Sequence, residues 1–210
     1  ALGQEEFLVA ADLDGGETEA RVFLAAPVSR SDIESGLAGP VATSLLFSWK
    51  GWTLRTRRET RVGRLLLDEE RGFVPSPDDI RQAVRERLVR EGVEALPWSD
   101  AARRFRARCL FVGRCGRYER WPDFSSGALS DDLDKWLLPF GNWEGGAVFT
   151  GESLLQGLTD RLGWKNRRIL DEVAPETWLL PSGTRKRLDY ETGGAPVIAA
   201  RLQEFFGCRE

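Results

Sequence analysis

Residues 174–207 carry the sequence APETWLLPSGTRKRLDYETGGAPVIAARLQEFFG, in which two apolar periodicities follow one another. The turn residues PSG at 181–183 separate two short alternating runs, 177–180 and 185–190, a pattern typical of a β-hairpin. Apolar residues then recur at helical spacing up to Gly207: Ile198, Leu202, Phe205 and Phe206. The segment therefore predicts a hairpin followed by a helix.

Helical periodicity extends through residues 76–173. Ser76 followed by Pro77 is typical of a helix start, because it combines a side-chain cap with a proline at the first helical position. Ser99 is placed to cap a second helix. Five helices are predicted, with these apolar positions: Ile80, Val84 and Leu88; Ala102, Phe105, Cys109 and Val112; Leu129, Leu133, Trp136 and Leu137; Leu154, Leu155, Leu158 and Leu162; and the run 164–173.

Residues 1–75 are instead rich in strand-like alternation. Five strands are predicted, at 7–13, 20–26, 41–49, 52–62 and 64–68, with one short helix at 29–37. This count favours a small barrel of the oligonucleotide/oligosaccharide-binding (OB) type, although it fits another small barrel or a rolled sheet as well. The expected fold is α+β, in three parts: an OB-like β-barrel domain at 1–75, a helical domain at 76–173, and a truncated C-terminal β/α unit at 174–210.

The composition excludes several classes of protein. With 210 residues and 41% apolar content the chain can bury a core, and no apolar run approaches the roughly 20 residues that cross a bilayer. No signal-peptide pattern opens the sequence. We therefore expect a soluble, cytoplasmic and monomeric protein that contacts no membrane. Because the chain contains no methionine, we also expect a fragment of a longer polypeptide.

The absence of histidine removes most catalytic arrangements, including Ser-His-Asp and Cys-His nucleophiles and every histidine-ligated metal site. Cys109, Cys115 and Cys208 have no C-x-x-C spacing, so we interpret them as reduced thiols, with a Cys109–Cys115 disulfide as the alternative. No G-x-x-x-x-G-K-[ST] phosphate loop occurs in the chain. We predict no catalytic residue, metal or cofactor in the chain itself.

The predicted strand at 52–62 is the first candidate for nucleic-acid binding. Alternation places Arg55, Arg57 and Arg61 on one face, where they could follow a phosphate backbone. Arg64 lies just beyond them, and Trp49 could stack on a base if its ring is exposed. The alternative is an ordinary solvated sheet face, interrupted by Glu59. The 26 arginines among 30 basic residues do not decide between the two, because a GC-rich coding genome explains them more simply.

Two short basic clusters are further candidates, although runs of three charges are common on soluble surfaces. They comprise Lys165, Arg167 and Arg168, and Arg185, Lys186 and Arg187. On a strand, Arg185 and Arg187 would share one face. The predicted nucleic-acid-binding set therefore includes Lys165, Arg167, Arg168, Arg185 and Arg187, beside the arginines and the tryptophan of the first candidate.

Two other groups favour structural interpretations. Tyr190, Trp178 and Trp164 could form a stacking platform, but aromatic residues beside apolar strands and helices usually pack in the core. Asp131, Asp132 and Asp134 could suggest a metal cluster. Because they follow Ser130 at a predicted helix start, we interpret them instead as acids that interact favourably with the helix dipole.

Several short motifs together resemble a known family. They are LPWS at 96–99, WPD at 121–123, LDEVAP at 170–175, PSG at 181–183, DY at 189–190, and V-x-A-x-R-L-Q-E-x-F-G at 197–207. In this order they resemble the C-terminal, non-motor region of HrpB-type bacterial DExH-box ATP-dependent helicases. The resemblance covers most of the chain and becomes more specific toward its end.

The resemblance implies a parent protein that hydrolyses ATP with Mg²⁺ in motor domains of the same polypeptide and acts on RNA. This chain would be the accessory part, binding single-stranded RNA or DNA and supporting the motor. The alternative is a docking or motor-bracing module without nucleic-acid contact. An independent enzyme is disfavoured, because no nucleophile with an activating partner can be assembled without histidine.

Overall fold

The computed structural model describes residues 6–14, 21–37, 39–144 and 146–205. Antiparallel strands and helices occur in separate runs along the chain, so the predicted α+β class is confirmed. Contacts group the chain into two compact units: the first is Ala1–Ser48 with Arg55–Phe73, and the second is Trp49–Leu54 with Val74–Glu210. The predicted three-domain division stays a prediction, because it concerns independent folding rather than contact grouping.

The first unit contains the five predicted strands. Strand β1 (Phe7–Leu13) pairs with β2 (Val22–Val28) in an antiparallel sheet of its own. A short helix, α1 (Arg30–Asp32), follows the Ser29 cap and continues into the π-helical turn Ile33–Leu37, which confirms the helix predicted at 29–37.

A second sheet has the strand order β3-β4-β5. Its strands are β3 (Val41–Lys50), β4 (Thr53–Val62) and β5 (Leu65–Arg71). In the described residues β1 and β2 pair only with each other, so the strands form two separate sheets and no closed barrel. The predicted OB-like barrel is therefore not confirmed, because closure requires a continuous ladder of hydrogen bonds around all strands.

The second unit is mainly helical. Its helices are α2 (Pro77–Glu91), α3 (Asp100–Arg114), α4 (Ser126–Asp131), α5 (Leu133–Trp136), α6 (Gly151–Leu162) and α7 (Trp164–Val173). Ser76 caps α2 in a reciprocal capping box with Asp79, and the Ser99 hydroxyl accepts a hydrogen bond from the Ala102 amide at the start of α3. Both predicted caps are confirmed.

The predicted apolar positions of these helices form one core, with Leu133 and Leu155 at its half-buried margin. One predicted helix, however, is two. Asp132 adopts φ −114° and ψ 25°, outside the helical region, and so separates α4 from α5. Asp132 is the N-cap residue of α5 and Asp134 lies in its first turn, so both stand at a helix N-terminus as predicted. The Asp132 carboxylate also pairs with Lys135 and Arg161 at 2.8 and 3.0 Å.

The turn between β3 and β4 also belongs to the core of the second unit. Trp52 is buried, and its indole Nε1 donates a hydrogen bond of 2.9 Å to the Ala95 carbonyl. The Val148 amide donates to the Trp52 carbonyl at 2.8 Å. Trp52 was predicted to begin a strand, but these contacts make it an anchor of the turn.

The C-terminal segment contains the predicted hairpin. Strands β6 (Thr177–Leu179) and β7 (Arg185–Asp189) are antiparallel, and β8 (Val197–Ile198) pairs with the other edge of β7. The predicted helix starting at Ile198 is wrong, because this residue pairs with Leu188; a single 3₁₀ turn, Leu202–Phe205, follows. One turn offers few intrahelical hydrogen bonds, whereas the edge of β7 offers a ladder. Residues 206 and 207 lie outside the described part.

Among the three aromatic residues expected in the core, only Tyr190 is buried. Trp164 and Trp178 are exposed, which corrects the prediction for both. Trp164 is the first residue of α7, and its ring lies 5.6 Å from the Lys165 ammonium group at the surface. Trp178 lies on β6, which has a strand neighbour on one edge only.

The two cysteines in the described part are free thiols. Cys109 is buried in α3, and burial raises the pKa of its thiol to about 12, whereas Cys115 is exposed. Cys208 lies outside the described residues. Within the described part, no helix is both long and apolar enough to cross a membrane.

The contact between α5 and α6 gives a testable prediction. A Cβ atom on Gly157 would stand 2.0 Å from the Trp136 carbonyl oxygen, so Gly157→Ala must displace backbone. We expect the free energy of unfolding to fall by about 1–3 kcal/mol in urea titrations.

Gly127→Ala is the matched control, because no atom lies within 4 Å of the added methyl group in α4. Its stability should be unchanged or raised by up to about 1 kcal/mol, through helix propensity alone. Equal stabilities of the two variants would contradict the close packing of α6 on Trp136.

Candidate functional site

Arginines of β4 and β5 form a charged surface on the first unit, here called the arginine face. It comprises Arg55, Arg57, Glu59 and Arg61 of β4, Arg64 of the adjoining turn, and Glu69 and Arg71 of β5. Ion pairs link Glu59 to Arg57 at 3.0 Å and to Arg61 at 2.6 Å, as the strand alternation predicts for one face.

Glu59 organises this face rather than interrupting it. The residue is only 4% exposed; its Oε2 accepts a hydrogen bond from Arg61 Nε, and its Oε1 forms an ion pair with Arg57 Nη2. A buried carboxylate requires such partners, because an unpaired charge in the interior is costly. The pairing therefore fixes Arg57 and Arg61 in position while both side chains stay partly exposed.

Positive charge exceeds negative charge on the arginine face, with five arginines against two carboxylates. Glu69 pairs with Arg57 at 3.4 Å and with Arg71, whose hydrogen bond lowers the pKa of the Glu69 carboxyl. Arg55 and Arg64 form no ion pair with any described residue. They are the cations on this face most available to a phosphate.

Trp49, predicted as a stacking surface, lies half-buried in the second unit. Its ring centroid is 5.7 Å from that of Trp52, and the Arg87 guanidinium lies 5.1 Å from the ring. These contacts cover much of the ring. The geometry favours packing over base stacking for Trp49.

The basic cluster on α7 is largely paired along the helix. Arg168 pairs with Glu172 at 2.8 Å and Arg167 with Asp171 at 3.5 Å, both at the i,i+4 spacing. Lys165 contacts the ring of Trp164. In the cluster on β7, Lys186 pairs with Glu204 at 3.1 Å, whereas Arg185 forms no ion pair with a described residue.

One member of each cluster lines the same cavity, here called the arginine cavity. Its volume is about 170 Å³, and it lies wholly within the second unit. Arg167 and Arg187 meet two arginines of α3 there that the sequence reading missed. The lining residues are Ala101, Arg104, Phe105, Arg108, Leu155, Thr159, Arg167, Glu176, Arg187, Leu188 and Tyr190. The i,i+4 spacing of Arg104 and Arg108 indicates that both lie on one face of α3, but this spacing is too common on helices to predict a site.

Arg108 is the buried member of the arginine cavity and is only 2% exposed. Its Nε donates to the Ala174 carbonyl at 2.6 Å, its Nη1 to Glu176 at 2.8 Å and its Nη2 to Asp171 at 2.7 Å. These three bonds join α3 to the end of α7 and the entry to β6. Arg108 is thus fully engaged by the protein.

The sequence has no phosphate-loop motif, and no group of His, Cys, Asp or Glu in the described residues is placed to hold a metal ion. What the two arginine sites offer is fixed positive charge for anions.

Comparison with known proteins gives the class of this chain. Residues 136–210 match the model of the family described as ATP-dependent helicase C-terminal, HrpB_C. The whole chain is similar to the ATP-dependent RNA helicase HrpB of Escherichia coli strain K12, with 28% identity over 214 aligned residues. This alignment covers 99% of the chain and 26% of that helicase.

Solved structures agree with the sequence comparison. The chain is similar to an E. coli DExH-box NTPase HrpB at a TM-score of 0.55 and 28% identity. It is similar to an E. coli DEAH/RHA helicase HrpB at a TM-score of 0.54 and 26% identity. Each match covers 99% of this chain and 26% of the other chain. The resemblance to the C-terminal region of HrpB-type helicases is confirmed.

The three bonds of Arg108 predict its contribution to stability. Arg108→Met keeps an apolar stem but leaves the buried Ala174 carbonyl without its donor. We expect the free energy of unfolding, measured in urea, to fall by about 2–3 kcal/mol. The loss should be smaller than for a fully buried ion pair, because Asp171 and Glu176 are exposed and can be solvated.

Arg103→Met, one turn earlier on the outer side of α3, is the control. Among the described residues Arg103 pairs only with exposed Asp100, at 3.6 Å, so its replacement should lower the free energy of unfolding by under about 0.5 kcal/mol. Equal losses in the two variants would show that Arg108 does not hold α3 to the segment at 171–176.

Proposed function

We propose that this chain is the accessory C-terminal region of an ATP-dependent RNA helicase and that it binds single-stranded nucleic acid. The parent polypeptide would hydrolyse ATP in its motor domains and move along RNA in the cytoplasm, whereas this region would hold the strand. The similarity to an RNA helicase supports RNA as the ligand. The chain spans 26% of that relative, so the whole protein's activity is part of the proposal.

The observation that carries this proposal is the arginine face. Its two central guanidinium groups are fixed by buried Glu59, and Arg55 and Arg64 add charge that no described carboxylate balances. A row of fixed cations on a strand matches the repeating phosphates of a nucleic-acid backbone. Backbone contacts of this kind do not read base sequence, as an accessory strand-holding region requires.

The first test replaces the unpaired arginines together, as Arg55→Ala/Arg64→Ala. Arg57 and Arg61 are kept because their removal would leave buried Glu59 without a partner. Affinity for a single-stranded RNA, measured by fluorescence anisotropy, should fall about tenfold or more. The slope of log affinity against log salt should become shallower by about 0.7 for each lost phosphate contact.

Arg117→Ala/Arg120→Ala removes the same charge from two exposed arginines of the second unit and should change the affinity by less than about twofold. If the two double variants bind equally, the arginine face is not the RNA site.

A second function, docking to the motor, is favoured by exposed apolar residues on β1 and β2. Phe23 is 65% and Leu24 61% exposed, and Leu8, Val9 and Val22 are exposed as well. Phe23 and Leu24 are neighbours on β2 and so point to opposite faces of the two-stranded sheet. Large apolar side chains exposed in this number commonly mark a protein interface. We propose that this pair of strands packs on the remainder of the parent polypeptide.

Phe23→Ser/Leu24→Ser tests the docking proposal in analytical ultracentrifugation with the parent's motor domains produced as a separate chain. We expect the variant to bind the motor at least about tenfold more weakly than the unmodified chain, since each large apolar side chain contributes about 1.5–3 kcal/mol when buried. Val89→Ser is the control, because Val89 is 87% exposed on α2. Equal binding by both variants would place the docking surface elsewhere.

A further inference from the structure

Ion pairs within the protein balance only part of the positive charge that lines the arginine cavity. Arg108 is balanced by Asp171 and Glu176, and Arg167 also pairs with Asp171, at 3.5 Å. These two arginines and two carboxylates neutralise one another. The remaining charge of the cavity therefore comes from its other two arginines.

Arg104 and Arg187 are those two arginines. Arg104 is half-buried on α3 and Arg187 is exposed on β7, and both line the cavity. In the described residues neither forms an ion pair or a side-chain hydrogen bond. The cavity is thus lined by two arginines from different elements, α3 and β7, whose charges no described carboxylate balances.

Apolar side chains contribute much of the remaining cavity wall, and the cavity itself is small. Ala101, Phe105, Leu155 and Leu188 contribute apolar surface, and the Tyr190 hydroxyl is occupied because it donates to the Pro175 carbonyl at 2.8 Å. Burial raises the pKa of the Tyr190 phenol, so the ring carries no charge. A volume of about 170 Å³ lies below the range of about 300–1,000 Å³ for whole drug-sized ligands. The space suits one compact anionic group.

We propose that the arginine cavity binds the dianionic phosphate monoester of a nucleotide, either free or at the end of a nucleic-acid strand. Two unbalanced guanidinium groups match a charge of about −2, whereas a carboxylate or a phosphodiester supplies one negative charge only. Guanidinium groups bind phosphate oxygens through paired donors, which gives directed as well as charged contacts. The choice of a nucleotide rests on the proposed function, but the phosphate site itself does not.

The direct test is calorimetric titration of the full chain with a nucleoside 5′-monophosphate and with the same nucleoside lacking phosphate. We expect binding of the monophosphate and none of the nucleoside. Arg104→Gln and Arg187→Gln should each weaken binding about tenfold or more, because each removes a charge-assisted contact.

Arg103→Gln is the matched control, since Arg103 is exposed on the same helix as Arg104 and does not line the cavity. Its affinity should equal that of the unmodified chain. Equal weakening by Arg103→Gln and Arg104→Gln, or no binding of the monophosphate, would overturn the proposal.

The pH dependence tests the preference for a dianion. The second pKa of a phosphate monoester is about 6, so affinity should fall severalfold between about pH 7.5 and pH 5.5. The chain has no histidine to change charge in this range. The carboxylates beside the cavity, Asp171 and Glu176, pair with Arg108, and Asp171 pairs with Arg167 as well. Any loss of their negative charge would strengthen anion binding, which is the opposite sign to the predicted change. Constant or rising affinity at lower pH would overturn the dianion assignment.

Oligonucleotides separate the two sources of the phosphate. One RNA sequence with a 5′-phosphate, a 3′-phosphate or hydroxyl ends is titrated in turn. If an oligonucleotide with a phosphorylated end binds more tightly, and Arg187→Gln loses this advantage, the cavity binds the end of a strand. If all three oligonucleotides bind equally while the monophosphate binds tightly, the cavity binds a free nucleotide. Tighter binding of a phosphoserine peptide than of the monophosphate would overturn the nucleotide assignment.

The Arg55→Ala/Arg64→Ala variant distinguishes failure of this proposal from failure of the proposed function. If that variant loses RNA affinity but keeps the monophosphate affinity, the cavity is an independent site, as we infer. If it loses both equally, the monophosphate binds on the arginine face and the cavity proposal is wrong.

Discussion

The arginine cavity of the second unit depends on the three hydrogen bonds of the buried Arg108 guanidinium group. It joins α3 to the end of α7 and to the residues that open β6, through one carbonyl and two carboxylates. By engaging Asp171 and Glu176 it also removes the negative charge that would otherwise neutralise the neighbouring arginines. The same three bonds therefore stabilise the packing and leave the charge of Arg104 and Arg187 available.

In the first unit, too, a buried charged side chain positions its ion-pair partners. Glu59 is buried between Arg57 and Arg61, so one carboxylate positions two cations and the face keeps an excess of positive charge. In a chain with 30 basic and 33 acidic residues, the net charge of −3 gives no indication of such sites. The distribution of pairs decides where an anion can bind, because a paired arginine is already satisfied and an unpaired one is not.

Local features of the fold were predictable from sequence, and features that depend on distant partners were not. The caps at Ser76 and Ser99 follow from hydrogen bonds within one turn, and the alternation of β4 correctly placed Arg57 and Arg61 on one face. Ile198 was assigned to a helix because its pairing with Leu188 across the loop leaves no local signal. The arginine cavity could not be predicted, since α3, α7 and β7 meet only in the folded chain. The OB-like barrel is not confirmed, and strand counting could not decide it because the count carries no information on pairing.

The central claim is that this chain holds a nucleic-acid strand on the arginine face, where buried Glu59 positions Arg57 and Arg61 while Arg55 and Arg64 form no ion pair with a described residue. Photo-crosslinking of the chain to a 4-thiouridine-containing single-stranded RNA, followed by mass spectrometry of the peptides, tests this claim most directly. The account predicts crosslinks concentrated in peptides covering residues 53–71, which carry the arginine face. Crosslinks confined to other peptides, or none at physiological salt, would contradict it.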